Sequence, residues 1–379
     1  MINRQRLIDS FMAMVQIDSL SFQEKEFKDY LQAEFNRRQV LVWEDRAGEV
    51  IGGNSGNLSV KIKGDPQYPP LLISAHMDTV EPGRGIKAVV ENDEIIKSTG
   101  PTILGADDKA AIAAILEAVD VISEQDIDHP PIELLFTVAE EKGLKGSQAA
   151  DYSEFDAKIA FVLDSDEVPG TIITRSPAQY DMEYLVWGRA AHAGAAPEKG
   201  INAIHIAAKA IAEMATGRID SETTCNFGVI SGGQARNAVP EYCRIYGEAR
   251  SLNRQKLEDL VKQLTRQFID GVEKAGGKAQ VNSNLLYQEV ILDSKSRSVQ
   301  LAVEAVRSTG LEPELRSTGG GSDASIIHNS GIICNNLGIG MTDVHTTGEY
   351  IKIDDLVKVT EIVLALIKTS MQQETKEKL

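Results

Sequence analysis

The sequence predicts an α/β protein: a larger domain with a mostly parallel sheet, and a smaller ferredoxin-like α+β domain inserted into it. Three observations support this. The 379 residues exceed what one hydrophobic core usually supports. Short apolar runs alternate with helical stretches in the first part of the chain. From about residue 178 the pattern changes, and after about residue 291 it returns. We therefore predict one domain at 1–177 and 292–379, with 178–291 inserted.

The first part of the chain supplies most elements of the parallel sheet. Ser21 and Glu24 have the spacing of a capping box, which predicts that an amphipathic helix follows. Buried strands are expected in the apolar runs LSVKI, PLLISA, PIELLFTVA and KIAFVLD, and a helix in KAAIAAILEAVDVI. Such continuous apolar runs are typical of strands covered on both faces, as in parallel sheets.

The inserted part has a different order of elements. Its segments predict, in sequence, a strand, a helix, two strands, a helix and a strand: QYDMEYLVWG, GINAIHIAAKAIAEMA, TTCNFGVISGG, EYCRIYGEARSL, RQKLEDLVKQLTRQFIDGVEKAG and KAQVNSNLLY. The order β-α-β-β-α-β is that of the ferredoxin-like unit. The first pattern resumes with the helical segment SRSVQLAVEAVRSTG.

Composition restricts the classes of function. The net charge of −17 argues against nucleic acid as a partner, because nucleic acid is itself a polyanion. The first 20 residues have no apolar stretch long enough for a signal peptide or a membrane span, so we expect a soluble, cytoplasmic protein without a membrane partner. The three cysteines lack CxxC spacing, so we interpret them as small buried apolar residues.

Acids and histidines follow several of the predicted strands. His76 and Asp78 end one strand, where an imidazole could bind a metal and a carboxylate could orient it. By itself, His-x-Asp is equally compatible with a histidine of no special function. Asp107 and Asp108 precede a predicted helix, and a doubled N-cap explains them as well as a metal site does.

Further along the chain, other acids take similar positions. Glu140 and Glu141 follow a buried strand, where a solvated charge pair is the alternative, and their side chains should diverge if the strand continues. Asp164 follows another strand, and His345 lies much later in the chain. Several strand ends that each deliver an acid or a histidine are hard to explain by chance. Together they indicate a hydrolytic site with one or two zinc ions.

Five ordered segments, SAHMDTV, GADDKAA, VAEEKGLKGS, FVLDSD and VHTTGEYI, resemble the M20 family of zinc peptidases, and most of all its peptidase T-like, tripeptidase branch. The resemblance covers essentially the whole chain. It implies a zinc-peptidase-type catalytic domain, with the inserted domain as a lid that also provides a possible homodimer contact. It also implies two zinc ions per chain, with Co²⁺ and Mn²⁺ as alternative metals.

The resemblance also implies roles for individual residues. Asp107 would bridge the two ions, with His76 and Asp164 on one and Glu141 and His345 on the other. Glu140 would be the general base, and Asp78 would support His76. The implied substrate-binding residues are His192, Asn237, Arg250, Gly320 and Ser322. The acids Asp166 and Glu167 stand where many relatives have glycine, which could alter the preferred charge of the substrate.

The resulting prediction is a metallopeptidase, acting as an aminopeptidase on tripeptides, in which Glu140 assists attack by a water that bridges the metals. An M20-type amidohydrolase acting on N-acyl amino acids is the alternative, since the fold and the metal site do not choose the acyl group. A binding protein that kept the fold without catalysis would have no reason to keep Glu140. A phosphate-binding α/β protein is disfavoured because no GxxxxGK[ST] motif is present.

Overall fold

Residues 1–371 are described by this computed structural model, and they divide into two compact units. Of these residues, the first unit contains 1–174, 291–317 and 322–371, and the second contains 175–290 and 318–321. The sequence predicts the inserted domain at 178–291, where the corresponding segment of the second unit is 175–290. Residues 318–321 differ, because they group with the second unit. Residues 372–379, which the sequence analysis assigned to the larger domain, lie outside the described residues.

The helices of the chain range from five-residue turns to an element of 21 residues. They are α1 Arg4–Val15, α2 Lys25–Arg37, α3 Ala47–Ile51, α4 Ala106–Glu124, α5 Lys145–Ala149, α6 Ala203–Ala212, α7 Arg254–Lys274, α8 Arg297–Ser308, α9 Asp323–Asn329 and α10 Ile353–Ser370. Among residues 1–371, no helix is long and apolar enough to cross a bilayer.

The strands form three sheets. They are β1 Leu41–Glu44, β2 Leu58–Ile62, β3 Leu71–His76, β4 Ala88–Glu91, β5 Ile95–Ser98, β6 Ile132–Thr137, β7 Ile159–Ser165, β8 Thr171–Ser176, β9 Ala178–Trp187, β10 Gly217–Arg218, β11 Thr223–Gly232, β12 Tyr242–Ser251, β13 Lys278–Tyr287, β14 Val290–Ile291, β15 Glu314–Ser317, β16 Ile333–Gly338, β17 Met341–Thr342 and β18 Tyr350–Lys352.

The large sheet has a parallel centre, as predicted. Its order is β1-β2-β6-β3-β7-β16-β8-β14, with β15 paired to β8. Strand β3 is parallel to both β6 and β7, and β16 is parallel to β7. Antiparallel pairs flank this centre at β1-β2, β2-β6 and β16-β8. The parallel centre matters for function because it brings the carboxyl ends of β6, β3 and β7 side by side.

Helix α4 is the central helix of the first unit. It packs against α1, α10 and β3, and it is buried along nearly its whole length, as expected for a helix that is apolar on every side. Its N-terminal residues Asp107 and Asp108 have non-helical backbone angles, so the regular helix starts after them. The first unit also contains a four-stranded sheet, β17-β18-β5-β4, which the sequence analysis did not predict.

The second unit has the predicted ferredoxin-like order. Strands β9, β11, β12 and β13 form an antiparallel sheet in the order β11-β12-β9-β13, with the short β10 at the β11 edge. Helices α6 and α7 pack on it around buried apolar side chains that include Tyr184, Leu264 and Phe268. This core belongs wholly to the second unit.

One local prediction was wrong. Glu24 is the N-cap residue of α2, but its side chain makes no capping bond, and Asn54 Oδ1 accepts the N–H of Lys25 at 3.0 Å instead. The Ser21 hydroxyl instead donates to Asp78 Oδ2 at 2.7 Å, and Glu24 Oε1 accepts the N–H groups of Phe22 at 2.8 Å and Ala139 at 2.9 Å. Both side chains are buried, and the distant residues Asp78 and Ala139 replace the reciprocal Ser21–Glu24 bonds that a capping box requires.

Candidate metal centre

The candidate site lies at the carboxyl ends of three neighbouring strands. His76 is the last residue of β3, Asp164 is the second-last residue of β7, and Glu140 follows β6 after a short link. Because β3 pairs in parallel with both β6 and β7, these residues meet at one edge of the sheet. This is where open α/β sheets build their sites.

Asp107 lies between the two histidines. Its Oδ1 is 2.9 Å from His76 Nε2, and its Oδ2 is 3.1 Å from His345 Nε2. Each carboxylate oxygen therefore faces a different imidazole. A bridging ligand between two cations requires this arrangement.

The remaining acids complete two groups around Asp107. Glu141 Oε1 lies 2.7 Å from His345 Nε2, and Asp164 Oδ1 lies 3.7 Å from His76 Nε2. Ligand atoms of His76, Asp107 and Glu141 all lie within 4.8 Å of one another. The structure thus brings together all five residues that the sequence analysis named as metal ligands.

The donor types fit a divalent transition metal. Two imidazole nitrogens with carboxylate oxygens form a set that zinc binds, and that cobalt and manganese also accept. Asp108 adds a further acid, because it can group with His76 and Asp164 within the same 4.8 Å. However, Asp108 Oδ2 accepts the backbone N–H of His76 at 3.1 Å, so one of its oxygens already supports the strand end.

Asp78 contacts the backbone of Glu140 and Glu141 as well as His76, which it was expected to orient. His76 Nδ1 lies 2.9 Å from the main-chain oxygen of Asp78 and 3.5 Å from its carboxylate. That carboxylate accepts the N–H groups of Glu140 at 2.9 Å and Glu141 at 3.3 Å, together with the hydroxyl of Ser21. Asp78 therefore fixes the backbone that carries the two adjacent glutamates.

Glu140 and Glu141 lie on a turn and not on a continuing strand. Strand β6 ends at Thr137, Ala139 has a left-handed φ of 49°, and residues Glu140–Lys142 form a 3₁₀ turn. The two side chains are therefore separated by the turn and not by strand alternation. Glu141 reaches His345, while the buried Glu140 makes no ion pair of this kind.

The site concentrates negative charge in a buried place. Burial raises the pKa of Glu140 and of Asp164 well above their ordinary values, and neighbouring carboxylates add to both effects. The pKa of His345 is raised to about 10 by hydrogen bonds to Asp107 and Glu141. A cation bound here would relieve this repulsion and take the place of protons on these carboxylates.

Three of the predicted substrate-binding residues lie within 175–290 of the second unit. His192 is exposed, and its Nδ1 accepts the N–H groups of Gly194 at 3.2 Å and Ala195 at 3.0 Å. The proton of a neutral His192 therefore lies on Nε2, which leaves that nitrogen as a donor. Asn237 is adjacent, since its carbonyl accepts the N–H of Ala193. Arg250 already forms a two-bond ion pair with Glu248 at 3.0 and 2.9 Å.

A glycine-rich loop at 318–322 carries the remaining two predicted substrate-binding residues, Gly320 and Ser322. The Gly320 N–H donates to the Thr318 hydroxyl at 3.1 Å. Ser322 is buried, caps α9 by accepting the N–H of Ala324 at 3.3 Å, and accepts a bond from Asn336 at 3.1 Å. Its hydroxyl is thus engaged within the first unit.

Several supporting residues escaped the sequence analysis. Asp323 is buried and accepts hydroxyl bonds from Ser147 and Thr137, next to the strand end that leads to Glu140. Glu24 and Glu349 are also buried carboxylates with backbone partners. Each of these three acids lies within a sequence motif or directly after one, but nothing in the sequence indicates which distant residue it contacts. Asp166 and Glu167 are the two acids that stand where many relatives have glycine. Glu167 pairs with Arg316, and Asp166 is exposed.

Comparison with protein families gives two matches. Residues 174–274 match the M20-type peptidase dimerisation domain, and residues 57–194 match peptidase family M28. Peptidase T of Geobacillus thermodenitrificans is 25% identical over 98% of this chain and 99% of its own length.

Two solved structures are similar over almost their full length. Aminopeptidase PepT of Bacillus cereus is 41% identical, with a TM-score of 0.87, covering 98% of this chain and 99% of that one. A tripeptidase of Staphylococcus aureus is 37% identical, with a TM-score of 0.92, covering 98% of this chain and 100% of that one.

Proposed function

Because this chain belongs to the M20 family of peptidases, we propose that it is a two-metal aminopeptidase that hydrolyses short peptides, tripeptides among them. The observation that carries this proposal is the position of Asp107, whose two oxygens face His76 Nε2 and His345 Nε2 at 2.9 and 3.1 Å. A single ion needs only one oxygen of this carboxylate, whereas two oxygens that face different imidazoles suit a pair of ions.

The proposed ligands divide into two sets that share Asp107. His76 and Asp164 hold one ion, and Glu141 and His345 hold the other. Zinc is the proposed metal, with cobalt and manganese as alternatives, since all accept this mixture of nitrogen and oxygen donors. When bound, the two ions supply a water of lowered pKa and polarise the carbonyl of the scissile bond.

Glu140 is the proposed general base. It lies on the same turn as the ligand Glu141 but is not itself one of the proposed ligands. Burial raises its pKa well above the ordinary value, and the nearby carboxylate of Asp164 adds to the effect. In this role it takes a proton from the attacking water and delivers one to the leaving amine. Asp78 keeps it in place through the Glu140 N–H.

The substrate class is proposed from the relatives. The similar structures are named an aminopeptidase and a tripeptidase, and both align over nearly the whole chain. An acidic site near the metals would favour the ammonium group of a free N-terminus. Asp166 is the better candidate for this preference, because the charge of Glu167 is already paired with Arg316. The roles of His192, Asn237, Arg250, Gly320 and Ser322 toward substrate stay predictions.

A substrate panel tests the proposal directly. The purified protein is stripped with a chelator, reloaded with zinc, cobalt or manganese, and assayed on tripeptides, dipeptides, N-acetyl amino acids and end-blocked peptides. We expect no activity without metal and the fastest hydrolysis with tripeptides that have a free N-terminus. Preferential cleavage of N-acetyl amino acids would favour the amidohydrolase alternative. Activity that survives full removal of metal would contradict the two-metal proposal.

We further propose that the second unit forms a homodimer contact and that the enzyme works in the cytoplasm. The match of residues 174–274 to a peptidase dimerisation domain supports the first point. The three cysteines are free and buried, which suits a reducing compartment and supports the second. Light scattering on the purified protein measures the dimer, and a monomer at micromolar concentration would contradict it.

A further inference from the structure

Glu349 is a buried carboxylate with three backbone partners on one distant loop. It is 2% exposed. Its Oε2 accepts the N–H groups of Leu104 at 2.7 Å and Gly105 at 2.8 Å, and its Oε1 accepts the N–H of Asp107 at 3.1 Å. Both carboxylate oxygens of Glu349 thus accept bonds from the segment 104–107, which ends in Asp107, the proposed bridging ligand.

The loop at 104–107 depends on these bonds because its backbone is irregular. Gly105 has a positive φ of 75°, and Asp107 has a non-helical ψ of 101° just before α4 becomes regular. N–H groups at the start of a helix have no partners within the helix. Buried backbone groups without a partner are costly, so the carboxylate of Glu349 stabilises this shape of the loop.

Glu349 is also tied to the other side of the candidate site. It lies four residues after His345, and its own N–H donates to the carbonyl of Thr346 at 3.2 Å. The same residue therefore joins the segment that carries His345 to the segment that carries Asp107. These two ligands are 238 residues apart in sequence, and their facing atoms are 3.1 Å apart.

We propose that Glu349 is a positioning residue that sets the spacing between Asp107 and His345, and so determines the affinity of the metal ion held by Glu141 and His345. The inference rests on the proposed two-metal function. Glu349 contacts the site through backbone N–H groups and is not itself a ligand. Residues that orient metal ligands in this way commonly change metal affinity by about 10–100-fold when substituted.

Glu349→Gln tests this role with little change in shape. A carboxylate accepts bonds at both oxygens, whereas an amide presents an NH₂ group at one of them, where it faces an N–H of the loop. Glu133→Gln is a control at another buried carboxylate with backbone partners, and it additionally removes an ion pair to Lys61 at 3.0 Å. Glu133 is also 2% exposed and accepts the backbone N–H groups of Asp156 at 3.1 Å and Ala157 at 3.0 Å, but these residues lie outside the candidate site.

The measurement is metal affinity in the apo-protein. Zinc is titrated against a chromophoric chelator into wild type and both variants, and the absorption spectrum of the cobalt-loaded proteins reports the coordination geometry. We expect Glu349→Gln to bind one ion with near wild-type affinity and the second at least about tenfold more weakly, with an altered cobalt spectrum. Glu133→Gln should bind both ions as wild type does, even if its melting temperature falls by a similar amount.

Two ions bound with wild-type affinity and an unchanged cobalt spectrum in Glu349→Gln would overturn the proposal. So would an equal loss of affinity in Glu133→Gln. If Glu349→Gln does not fold, Glu349→Asp is titrated by the same criteria, and failure of both to fold would show that Glu349 serves the fold and not the metal spacing. A wild-type protein that does not bind two ions would instead contradict the proposed function.

Discussion

At the scale of single residues, the adjacent acids Glu140 and Glu141 meet different surroundings. Glu141 contacts His345 Nε2 at 2.7 Å, whereas the backbone N–H of Glu140 is held by Asp78 and its side chain is buried. Both side chains have a raised pKa, chiefly through burial. The difference in contacts, more than the shared burial, distinguishes the proposed base Glu140 from the proposed ligand Glu141.

Substitution of these two glutamates separates the roles. Glu140→Gln keeps shape but removes the base, so metal content should be unchanged while kcat falls by about 10²–10⁴-fold, the usual effect of losing general base assistance. Glu141→Gln replaces a carboxylate ligand with a neutral amide, so it should weaken metal binding, with activity partly restored by added zinc. Metal analysis, circular dichroism and kinetics on one tripeptide measure these outcomes. If Glu140→Gln loses an ion and Glu141→Gln keeps both, the two assignments are exchanged.

Glu24 gives a prediction about pH. Burial, with a contribution from the nearby Asp78 charge, raises the pKa of Glu24 to about 7 from an ordinary value of 4.5. Between these values the folded protein binds more protons than the unfolded chain. The resulting stability is therefore fully present below pH 4.5 and is lost as the pH rises through about 7.

Glu24→Gln should remove this dependence. Its amide oxygen can still accept the two N–H groups that Glu24 Oε1 accepts. The variant should gain stability relative to wild type as the pH rises from 4.5 to 8, by up to about 3 kcal/mol for a shift of this size. Denaturant unfolding of the metal-free proteins measures the difference, with the exposed Glu26→Gln as a control on the same helix. A constant difference across this pH range would contradict the assignment.

At the scale of elements, the turn after β6 is held by a close approach of the backbone. The N–H of Gly146, in α5, donates to the carbonyl of Val138 at 2.9 Å. A Cβ atom at Gly146 would lie 2.1 Å from that oxygen and 2.5 Å from Asn57 Oδ1. Glycine is therefore required here by space, and the segment it contacts leads directly to Glu140.

Gly146→Ala should consequently damage both stability and catalysis. Overpacking of this kind typically lowers the free energy of unfolding by about 1–3 kcal/mol. Any shift of Val138 would also move Glu140, the proposed general base. The matched control is Gly100→Ala, because an added Cβ at Gly100 has no neighbour within 4 Å and its φ is not in the left-handed region. Thermal unfolding and kcat are measured for both. Equal, small effects in the two variants would show that the turn tolerates displacement.

Periodicity predicted several of the larger elements, among them α4, α7 and the four long strands of the second unit, but not the 18-residue α10 or the short β10. It failed where short elements or distant contacts decide the structure. Strands β17 and β18 have only two and three residues, too few for a pattern. Ala139, in the turn between β6 and Glu140, has a left-handed φ. Glycine is the usual residue in this conformation, so an alanine gives no sign of the turn in the sequence. Glu349 meets its loop partner Leu104 across 245 residues, a separation that no local pattern encodes.

At the scale of the whole molecule, the second unit has a core of its own. Its buried cluster includes Tyr184 and Phe268, whose rings lie 4.7 Å apart, and all members of the cluster fall within 175–290. A segment of this length is in the range of independent domains. The insertion can therefore be treated as a folding unit.

Residues 175–290 expressed alone should fold cooperatively. We expect a single thermal transition and a helix and strand content that matches α6, α7 and the antiparallel sheet. Phe268→Ala in the same fragment should lower stability by about 3–5 kcal/mol, because it empties a fully buried site. Circular dichroism with heating measures both. A fragment that binds a hydrophobic dye and melts without a transition would indicate that the core needs the rest of the chain.

The wide separation of His76, Asp107 and His345 along the sequence also affects when this enzyme can start to work. During synthesis on the ribosome, a nascent chain that has reached residue 300 already carries His76, Asp107, Glu141 and Asp164, but it lacks the second imidazole and the carboxylate of Glu349. The inserted unit must also emerge before that imidazole does. The proposed two-metal site can therefore form only after nearly all of the chain has been translated, so we expect unfinished chains to lack peptidase activity.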